Sequence, residues 1–160
     1  MSIQTRTRPA EILLIEDNHG DVILARRAFR DSRTANNLHI AVSGEEALAL
    51  LRPAGGEGRA YAPDLILLDL NLPKLSGREV LRMIKEDPNL RYIPVVVLSS
   101  SRAAQDVVQS YHLHANGYVV KPADLEQFRE IVGKLEQFWF EVAVLPDAAA
   151  ARRVFSTGAI

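Results

Sequence analysis

The amino-acid sequence predicts an α/β fold in which a doubly wound, five-stranded parallel sheet is flanked by helices. Two observations support this prediction. First, five short apolar or β-branched runs alternate with segments whose apolar residues recur at helical spacing. Second, the run at 65–72 is apolar except for Asp69 and Asn71, which is typical of a parallel strand buried on both faces. The chain of 160 residues is long enough for one well-cored domain.

The first half of the chain contains two predicted strands and two predicted helices. These are strands at 11–15 and 38–42 and helices at 20–30 and 44–51. Both strands are short apolar runs, and the segment between them places apolar residues at helical spacing. Ser43, followed three residues later by Glu46, matches a capping box and predicts the start of the second helix.

The second half continues the alternation. The predicted strands are 64–69, 93–98 and 118–120, and the predicted helices are 78–87, 101–111 and 125–140. Pro73 follows the first of these strands in a turn, and Pro88 ends the helix after it. The strand at 93–98 is rich in β-branched residues. Ser101 is expected to open the next helix, and Asp124 is expected to cap the last one.

Composition limits the possible function classes. Hydrophobic residues make up 48% and charged residues 24% of the chain, as in soluble globular proteins. The net charge of −1 argues against general affinity for nucleic acid or membranes. No stretch reaches the roughly 18 apolar residues of a membrane-spanning helix, and we expect a cytoplasmic protein. Residues 1–9 are expected to be a flexible leader, 10–146 the folded domain and 147–160 a mobile tail.

Three carboxylates follow two of the predicted strands. Glu16 and Asp17 come after the first strand and Asp69 ends the third. Because parallel strands end at the same edge of a sheet, these groups are expected to lie together, where their repulsion calls for a cation. Hard oxygen ligands without His or Cys suit Mg²⁺. Taken alone, the Glu16–Asp17 pair fits a helix cap equally well, but together with Asp69 it favours the metal site.

Two further strand ends supply a hydroxyl and an ammonium group. Ser99 follows the fourth strand and Lys121 follows the fifth. Taken singly, each fits an ordinary role, Ser99 as a helix-start residue and Lys121 as a solvated surface lysine. At one edge, they offer the hydrogen bond and positive charge that a transferred phosphoryl group requires. An aspartate such as Asp69 can act as the nucleophile and form an acyl phosphate.

This ordered set resembles the receiver domain of two-component response regulators, over roughly residues 10–140. The matching residues are Glu16, Asp17, Asp69, Asn71, Pro73, Gly77, Ser99, Tyr118, Lys121 and Pro122. The resemblance implies the flavodoxin-like receiver fold. It also implies that Asp69 is the phosphoacceptor and that Mg²⁺ is held by Glu16, Asp17, Asp69 and the backbone carbonyl of Asn71.

The same resemblance assigns roles to the later strand ends. Ser99 would be the switch hydroxyl, Lys121 the phosphate partner, and Tyr118 the aromatic switch residue whose ring turns inward as Ser99 moves. The Lys121–Pro122 bond is expected to be cis, an isomer that proline makes accessible. The sequence departs from the common pattern in three ways: an acidic pair of Glu and Asp, a serine instead of threonine as the switch hydroxyl, and a longer connection at 53–60.

Longer segments are similar to the small regulators that partner bacterial and cyanobacterial phytochromes. These segments are 70–74, 77–81, 93–98 and Phe138-Trp139. The similarity implies a histidine kinase as the phosphoryl donor, with a light-responsive phytochrome as the expected one.

Surplus apolar surface in the last helix predicts a homodimer. Phe138, Trp139 and Phe140 are consecutive, and successive helical residues point about 100° apart, so they cannot all enter one core. We expect these aromatics and Val142 to contact a second copy of the chain. The alternative is that Phe140 and residues 142–145 fold back onto the same subunit.

We therefore expect a stand-alone phosphoacceptor that acts through protein contacts and assists its own phosphorylation and dephosphorylation. Only about twenty residues follow the last helix, too few for a DNA-binding output domain, and no basic recognition helix is present. One alternative is an aspartate-nucleophile phosphatase of the haloacid dehalogenase type, which needs a carboxylate where this chain has Asn71. The other is a pseudo-receiver adaptor that is not phosphorylated.

Overall fold

The five strands lie parallel in one sheet with the order β2-β1-β3-β4-β5. The computed structural model describes residues 8–52 and 61–146. The strands are β1 Ala10–Ile15, β2 Asn36–Ala41, β3 Leu65–Leu68, β4 Val95–Ser99 and β5 Gly117–Val120. The helices are α1 His19–Arg30, α2 Gly44–Leu51, α3 Gly77–Glu86, α4 Ala104–His112 and α5 Leu125–Glu136, which continues as a π-helical segment, Gln137–Val142. The predicted fold class is confirmed.

Each face of the sheet is covered by its own core. On one face, α2 and α3 pack on alternate residues of the central strands, and on the other face α1 and α5 do so. All four residues of β3 are buried, as the dense apolar run predicts. The strand order reverses at β1, which lies between β2 and β3. In open α/β sheets, ligands bind outside the carboxyl ends of the strands at this position.

Side-chain caps define four of the helix starts. Asn18 accepts the Asp21 N–H and begins α1, and Asp124 begins α5 as predicted. The complete capping box lies at α3, where Ser76 and Glu79 each accept the other's backbone N–H. At α2 only half of the predicted box forms: Ser43 accepts the Glu46 N–H, but the Glu46 carboxylate bonds to the Val42 N–H. The Glu46 side chain thus bonds to the residue before the cap residue, Ser43, instead of to Ser43 itself.

The fourth helix begins later than predicted. It starts at Ala104 instead of Ser101, and the residue before it, Ala103, provides no side-chain cap. Of the predicted leader, residues 1–7 lie outside the described part of the chain, as do the connection at 53–60 and the tail at 147–160. Arg8, at the end of the predicted leader, forms a two-pronged ion pair with Asp64. Within the described residues, every helix is too short or too polar to cross a lipid bilayer.

The three consecutive aromatics take different positions. Phe140 is buried in the core under α5. Trp139 is partly buried against the same core, and the Phe138 ring meets it edge-on and is 51% exposed. Leu145 also packs back on this core, whereas Val142 is 66% exposed. The fold-back alternative therefore holds for Phe140 and Leu145, and an apolar patch is left at Phe138 and Val142.

Helix α3 begins in direct contact with the backbone beyond β3. Its first residue, Gly77, donates its N–H to the Leu70 carbonyl at 3.1 Å. A Cβ at this position would lie 2.2 Å from the Asp69 carbonyl oxygen and 2.5 Å from the Leu70 Cα. Only glycine lets the helix approach this closely. Gly133 in α5 differs, because a Cβ there would meet nothing within 4 Å.

These two glycines are expected to respond oppositely to alanine. Gly77→Ala should lower the free energy of unfolding by more than about 2 kcal/mol, because the new methyl group meets backbone that cannot easily move. Gly133→Ala should raise it by roughly 0.5–1 kcal/mol, because alanine favours helix and has open space. Urea unfolding followed by circular dichroism measures both values. Equal effects in the two variants would show that α3 can retreat from β3.

Candidate functional site

Register alone brings the first and third strand ends together. Ile15 pairs with Leu68, so Glu16 and Asp69, the next residues, lie side by side, and the Asp69 N–H donates to the Ile15 carbonyl at 3.0 Å. Both carboxylates are buried, with Glu16 1% and Asp69 3% exposed. Asp17 is exposed, yet one oxygen from each of the three carboxylates lies within 4.8 Å of the others. The structure therefore brings together the three carboxylates predicted for this edge.

Lys121 reaches this cluster from the end of β5. Its backbone N–H donates to the Ser99 carbonyl at 2.8 Å, which fixes the chain beside β4. Its Nζ lies 2.9 Å from Glu16 Oε2 and 3.4 Å from Asp69 Oδ2. A third carboxylate, Asp21, is 2.9 Å from the same Nζ. The predicted convergence of Lys121 and Asp69 on one edge is present.

Asp21 is the carboxylate that the sequence analysis missed. It lies in the first turn of α1, three residues after the cap residue Asn18. The helix that follows β1 begins at the carboxyl edge of the sheet, so an acidic residue in its first turn is placed near the end of β3. The position of Asp21 in the first turn of the helix after β1 was the one signal in the sequence that could have identified it.

The pKa values of Glu16 and Lys121 are both raised, for different reasons. Burial raises the pKa of the Glu16 carboxyl to about 7, against the lowering effect of Lys121 and the Asn18 N–H, and the Asp69 charge adds to the rise. Burial acts to lower the pKa of Lys121, but the neighbouring carboxylates of Asp21, Glu16 and Asp69 outweigh this effect and the pKa is raised. Lys121 is therefore a permanent cation at neutral pH.

The remaining hydrogen-bonding capacity of the cluster fits a divalent cation. Glu16 Oε2 is buried and receives no well-directed hydrogen bond from the described residues, although the Lys121 ammonium is close. Asp69 Oδ1 accepts the Asn71 N–H at 3.2 Å, and Oδ2 faces Lys121. Carboxylate oxygens without nitrogen or sulfur donors suit a hard cation. The contact from Asn71 is through its N–H, and the role of its carbonyl as a metal ligand stays a prediction.

The two predicted switch residues meet at a third residue. Ser99 is fully buried at the end of β4, and its Oγ accepts the Ser101 N–H at 3.2 Å. The Tyr118 ring packs against the core, and its hydroxyl donates to the Ser101 carbonyl at 2.8 Å. Within the described residues no hydrogen bond joins Ser99 Oγ to Asp69. Ser101, between the two, was not predicted as part of the switch.

The Lys121–Pro122 peptide bond is trans, so the expectation of a cis bond was wrong for this structure. The trans isomer is the favoured one for a bond that precedes proline, by about 0.5–1 kcal/mol.

Replacing Lys121 should strengthen the binding of a divalent cation to the unmodified site. The ammonium group competes for Glu16 and Asp69, so Lys121→Gln is expected to tighten Mn²⁺ binding by about tenfold. Titration followed by the electron paramagnetic resonance of free Mn²⁺ measures this. Lys134→Gln is the control, because Lys134 is exposed on α5 and pairs with Glu130. Weaker binding in Lys121→Gln would mean that Lys121 positions the carboxylates instead of competing for them.

Comparison with known proteins gives an extended match. The response regulator receiver domain matches residues 12–133. The response regulator Rcp1 of Synechocystis sp. is 44% identical over 140 residues, which make up 88% of this chain and 95% of that protein.

Solved structures agree with this match. The phosphorylated cyanobacterial phytochrome response regulator RcpA is 47% identical with a TM-score of 0.81, covering 88% of this chain and 100% of that one. The Mn²⁺-bound form of Rcp1 is 43% identical with a TM-score of 0.78, covering 87% of this chain and 100% of that one. Because the family match and these similarities extend over most of the chain, the chain belongs to the response regulator receiver domain family.

Proposed function

We propose that this response regulator accepts a phosphoryl group on Asp69 from a histidine kinase, in a Mg²⁺-dependent reaction, and signals through protein contacts. The observation that supports this most directly is the setting of the Asp69 carboxylate. One oxygen accepts the Asn71 N–H and the other lies 3.4 Å from the Lys121 Nζ, next to Glu16 and Asp17. A carboxylate held in this way is buried, oriented and close to a permanent cation.

The proposed transfer follows from these groups. A carboxylate oxygen of Asp69 attacks phosphorus and forms the P–O bond of an acyl phosphate. The P–N bond to the kinase histidine breaks, and its electron pair returns to the imidazole. When bound at Glu16, Asp17 and Asp69, Mg²⁺ would neutralise charge on the phosphoryl oxygens. Lys121 contributes its fixed positive charge to the same oxygens, and Ser99 is assigned the hydrogen bond to one of them.

The site favours self-modification over hydrolysis of foreign phosphate esters. A phosphatase with an aspartate nucleophile needs an acid to protonate the leaving group. The side chain two residues after Asp69 is the amide of Asn71, which has no proton to give at neutral pH, and the Asn71 backbone N–H is bonded to Asp69 itself. We therefore propose a phosphoacceptor that assists only its own phosphorylation and dephosphorylation.

A phytochrome is the proposed kinase. Two similar proteins of known structure are phytochrome response regulators: RcpA, and the bacteriophytochrome response regulator AtBRR, which is 41% identical with a TM-score of 0.66. Two of the segments that carry the sequence resemblance, 70–74 and 77–81, follow Asp69 in the chain, close to the carboxylate that the kinase histidine has to approach. A cytoplasmic location, where such a kinase would meet the chain, is part of the proposal.

Acetyl phosphate with Mg²⁺ should add one phosphoryl group to the protein, visible in the intact mass. Asp69→Asn should show no adduct, because the amide is a poor nucleophile. Asp31→Asn, which changes a partly exposed carboxylate paired with Arg129, should be labelled like the unmodified chain. Chelation of divalent ions should abolish the labelling of wild type and of Asp31→Asn.

The other outcomes identify the competing functions. Continuous turnover of varied phosphate esters would support the phosphatase, and an unlabelled wild-type chain would support the pseudo-receiver. With an autophosphorylated phytochrome as the donor, in darkness and in light, transfer to wild type but not to Asp69→Asn tests the kinase assignment by the same mass measurement.

We also propose that the chain forms a homodimer through the apolar patch at Phe138 and Val142. These residues are four apart in the π-helical segment and are 51% and 66% exposed. The Trp139 ring contacts the Phe138 ring edge-on, with the ring centroids 4.9 Å apart. Exposed aromatic side chains favour interfaces. Phe140, which was also predicted for the interface, lies in the core of its own subunit.

The double variant Phe138→Ser/Val142→Ser should be a monomer at micromolar concentrations at which wild type sediments as a dimer. The control is Val42→Ser, which removes an exposed valine far along the chain and should leave the dimer intact. Val42→Ser should unfold at nearly the same urea concentration as wild type, and the double variant should do so at protein concentrations low enough for wild type to be a monomer, since the replaced side chains lie outside the core. A wild-type monomer would contradict the proposed dimer.

A further inference from the structure

Ser101 makes four hydrogen bonds in the loop between β4 and α4. Its N–H donates to Ser99 Oγ at 3.2 Å, and its carbonyl accepts the Tyr118 hydroxyl at 2.8 Å. Its own hydroxyl donates to the carboxylate of Asp106 and accepts the Ala103 N–H at 3.2 Å. The backbone of Ser101 is thus bonded to both predicted switch residues, and its side chain is bonded to α4.

The other oxygen of Asp106 accepts a hydrogen bond from the guanidinium group of Arg78. Arg78 is the second residue of α3, directly after Gly77. The chain of contacts therefore runs from Arg78 through Asp106 to Ser101, and we call these three residues the latch. It joins the start of α3, which packs against the backbone of Asp69, to the loop that holds the switch residues.

The positions of the two charged residues are informative. A helix N-terminus carries partial positive charge, so the arginine in the first turn of α3 is unfavourably placed unless a partner compensates. Asp106 lies in the first turn of α4, where a carboxylate usually bonds to the helix's own N–H groups. Both of its oxygens are instead engaged by Arg78 and Ser101. Arg78 and Asp106 thus form a contact between α3 and α4 instead of the interactions within one helix that are common at these positions.

Helix α4 has few other attachments. Its N-terminus lacks a side-chain cap, and Ser110 is its one buried residue. Exposed residues on its outer side include Val108 and Tyr111. An element with so little buried surface shifts at low free-energy cost. The latch is therefore a large share of what fixes the start of α4.

We propose that Arg78 and Asp106 are positioning residues of the phosphoryl switch: through Ser101 they stabilise the conformation in which the Tyr118 ring is turned inward. This proposal deepens the proposed function and rests on it. The observed conformation has the ring packed on the core with its hydroxyl on Ser101, and the sequence resemblance links an inward ring to movement of Ser99 towards the phosphoryl group. By reciprocal linkage, a latch that favours this conformation also strengthens the binding of a phosphoryl group at Asp69.

Beryllofluoride, which mimics a phosphoryl group on an aspartate, tests the linkage in the presence of Mg²⁺. Arg78→Gln and Asp106→Ala should each weaken its binding by about fivefold, the coupling expected of one charged contact. The double variant should be no weaker than either single one, because the two residues act through one chain of contacts. Arg82→Gln is the matched control, since Arg82 lies on the same helix in an exposed ion pair with Glu86.

Affinity for Mg²⁺ alone should be the same in all these variants, because the metal-ligand candidates are not part of the latch. Unchanged or tighter beryllofluoride binding in both single variants would overturn the proposal. If wild type bound no beryllofluoride, the proposed function would fail instead.

A second measurement tests the latch independently of any phosphoryl group. With 3-fluorotyrosine incorporated, the fluorine resonance of Tyr118 is identified by its absence in Tyr118→Phe. In Arg78→Gln and Asp106→Ala, this resonance should show a larger solvent isotope shift than in wild type, because the ring spends more time in water. An unchanged resonance in both variants would overturn the latch, whatever the result with beryllofluoride.

Discussion

The ammonium group of Lys121 is shared by carboxylates from three different elements: Glu16 after β1, Asp21 in α1 and Asp69 after β3. Two of these carboxylates are almost fully buried, and buried charges without a partner are strongly unfavourable. Lys121 thus offsets the unfavourable burial and mutual repulsion of the carboxylates that meet at the strand ends. One cation cannot balance three carboxylates together with Asp17; burial raises the pKa of the Glu16 carboxyl to about 7, and the Asp69 charge adds to that rise. The same imbalance is what a divalent cation would relieve, so the stability of this edge and its proposed chemistry have one physical origin.

The apolar sheet imposes this arrangement. Because β3 is buried on both faces and pairs in register with β1, the residues that follow both strands are held close together by backbone hydrogen bonds. The helix after β3 must then start against the backbone of Asp69, which requires glycine at position 77. Asp69 is consequently fixed from both sides, by strand pairing on one and by α3 on the other. Its carboxylate is left with little freedom except to face Lys121 and the other carboxylates.

The parts of the site that depend on strand ends could be predicted from the sequence, and the parts that depend on contacts between helices could not. Asp69, Glu16 and Lys121 each follow an apolar run, and parallel strands end at one edge, so pattern and topology suffice. The Arg78–Asp106 contact joins the first turns of two helices that are separated in sequence, and no local pattern marks it. Helix α4 was predicted to begin too early because Ser101 looks like a cap, whereas its hydroxyl is bonded to Asp106. The π-helical end of α5 and the inward position of Phe140 likewise depend on packing and not on periodicity.

Strand β5 connects the chemistry to the surface. It is an edge strand, only half-buried at every position, and it carries Tyr118 while leading directly into Lys121. Tyr118 in turn bonds to the loop that Asp106 fixes to α4. Under the proposed function, a charge change at Asp69 would act on Lys121 and Ser99, which lie beside the half-buried edge strand β5 and near α4, the least-buried helix of the fold. Elements held by few contacts have alternative positions close in free energy, so under the proposed function a modest coupling at the buried carboxylate would be enough to alter the exposed surface of α4 and β5. The buried cluster and the loosely held edge are thus complementary: one concentrates the electrostatic change, and the other can respond to it.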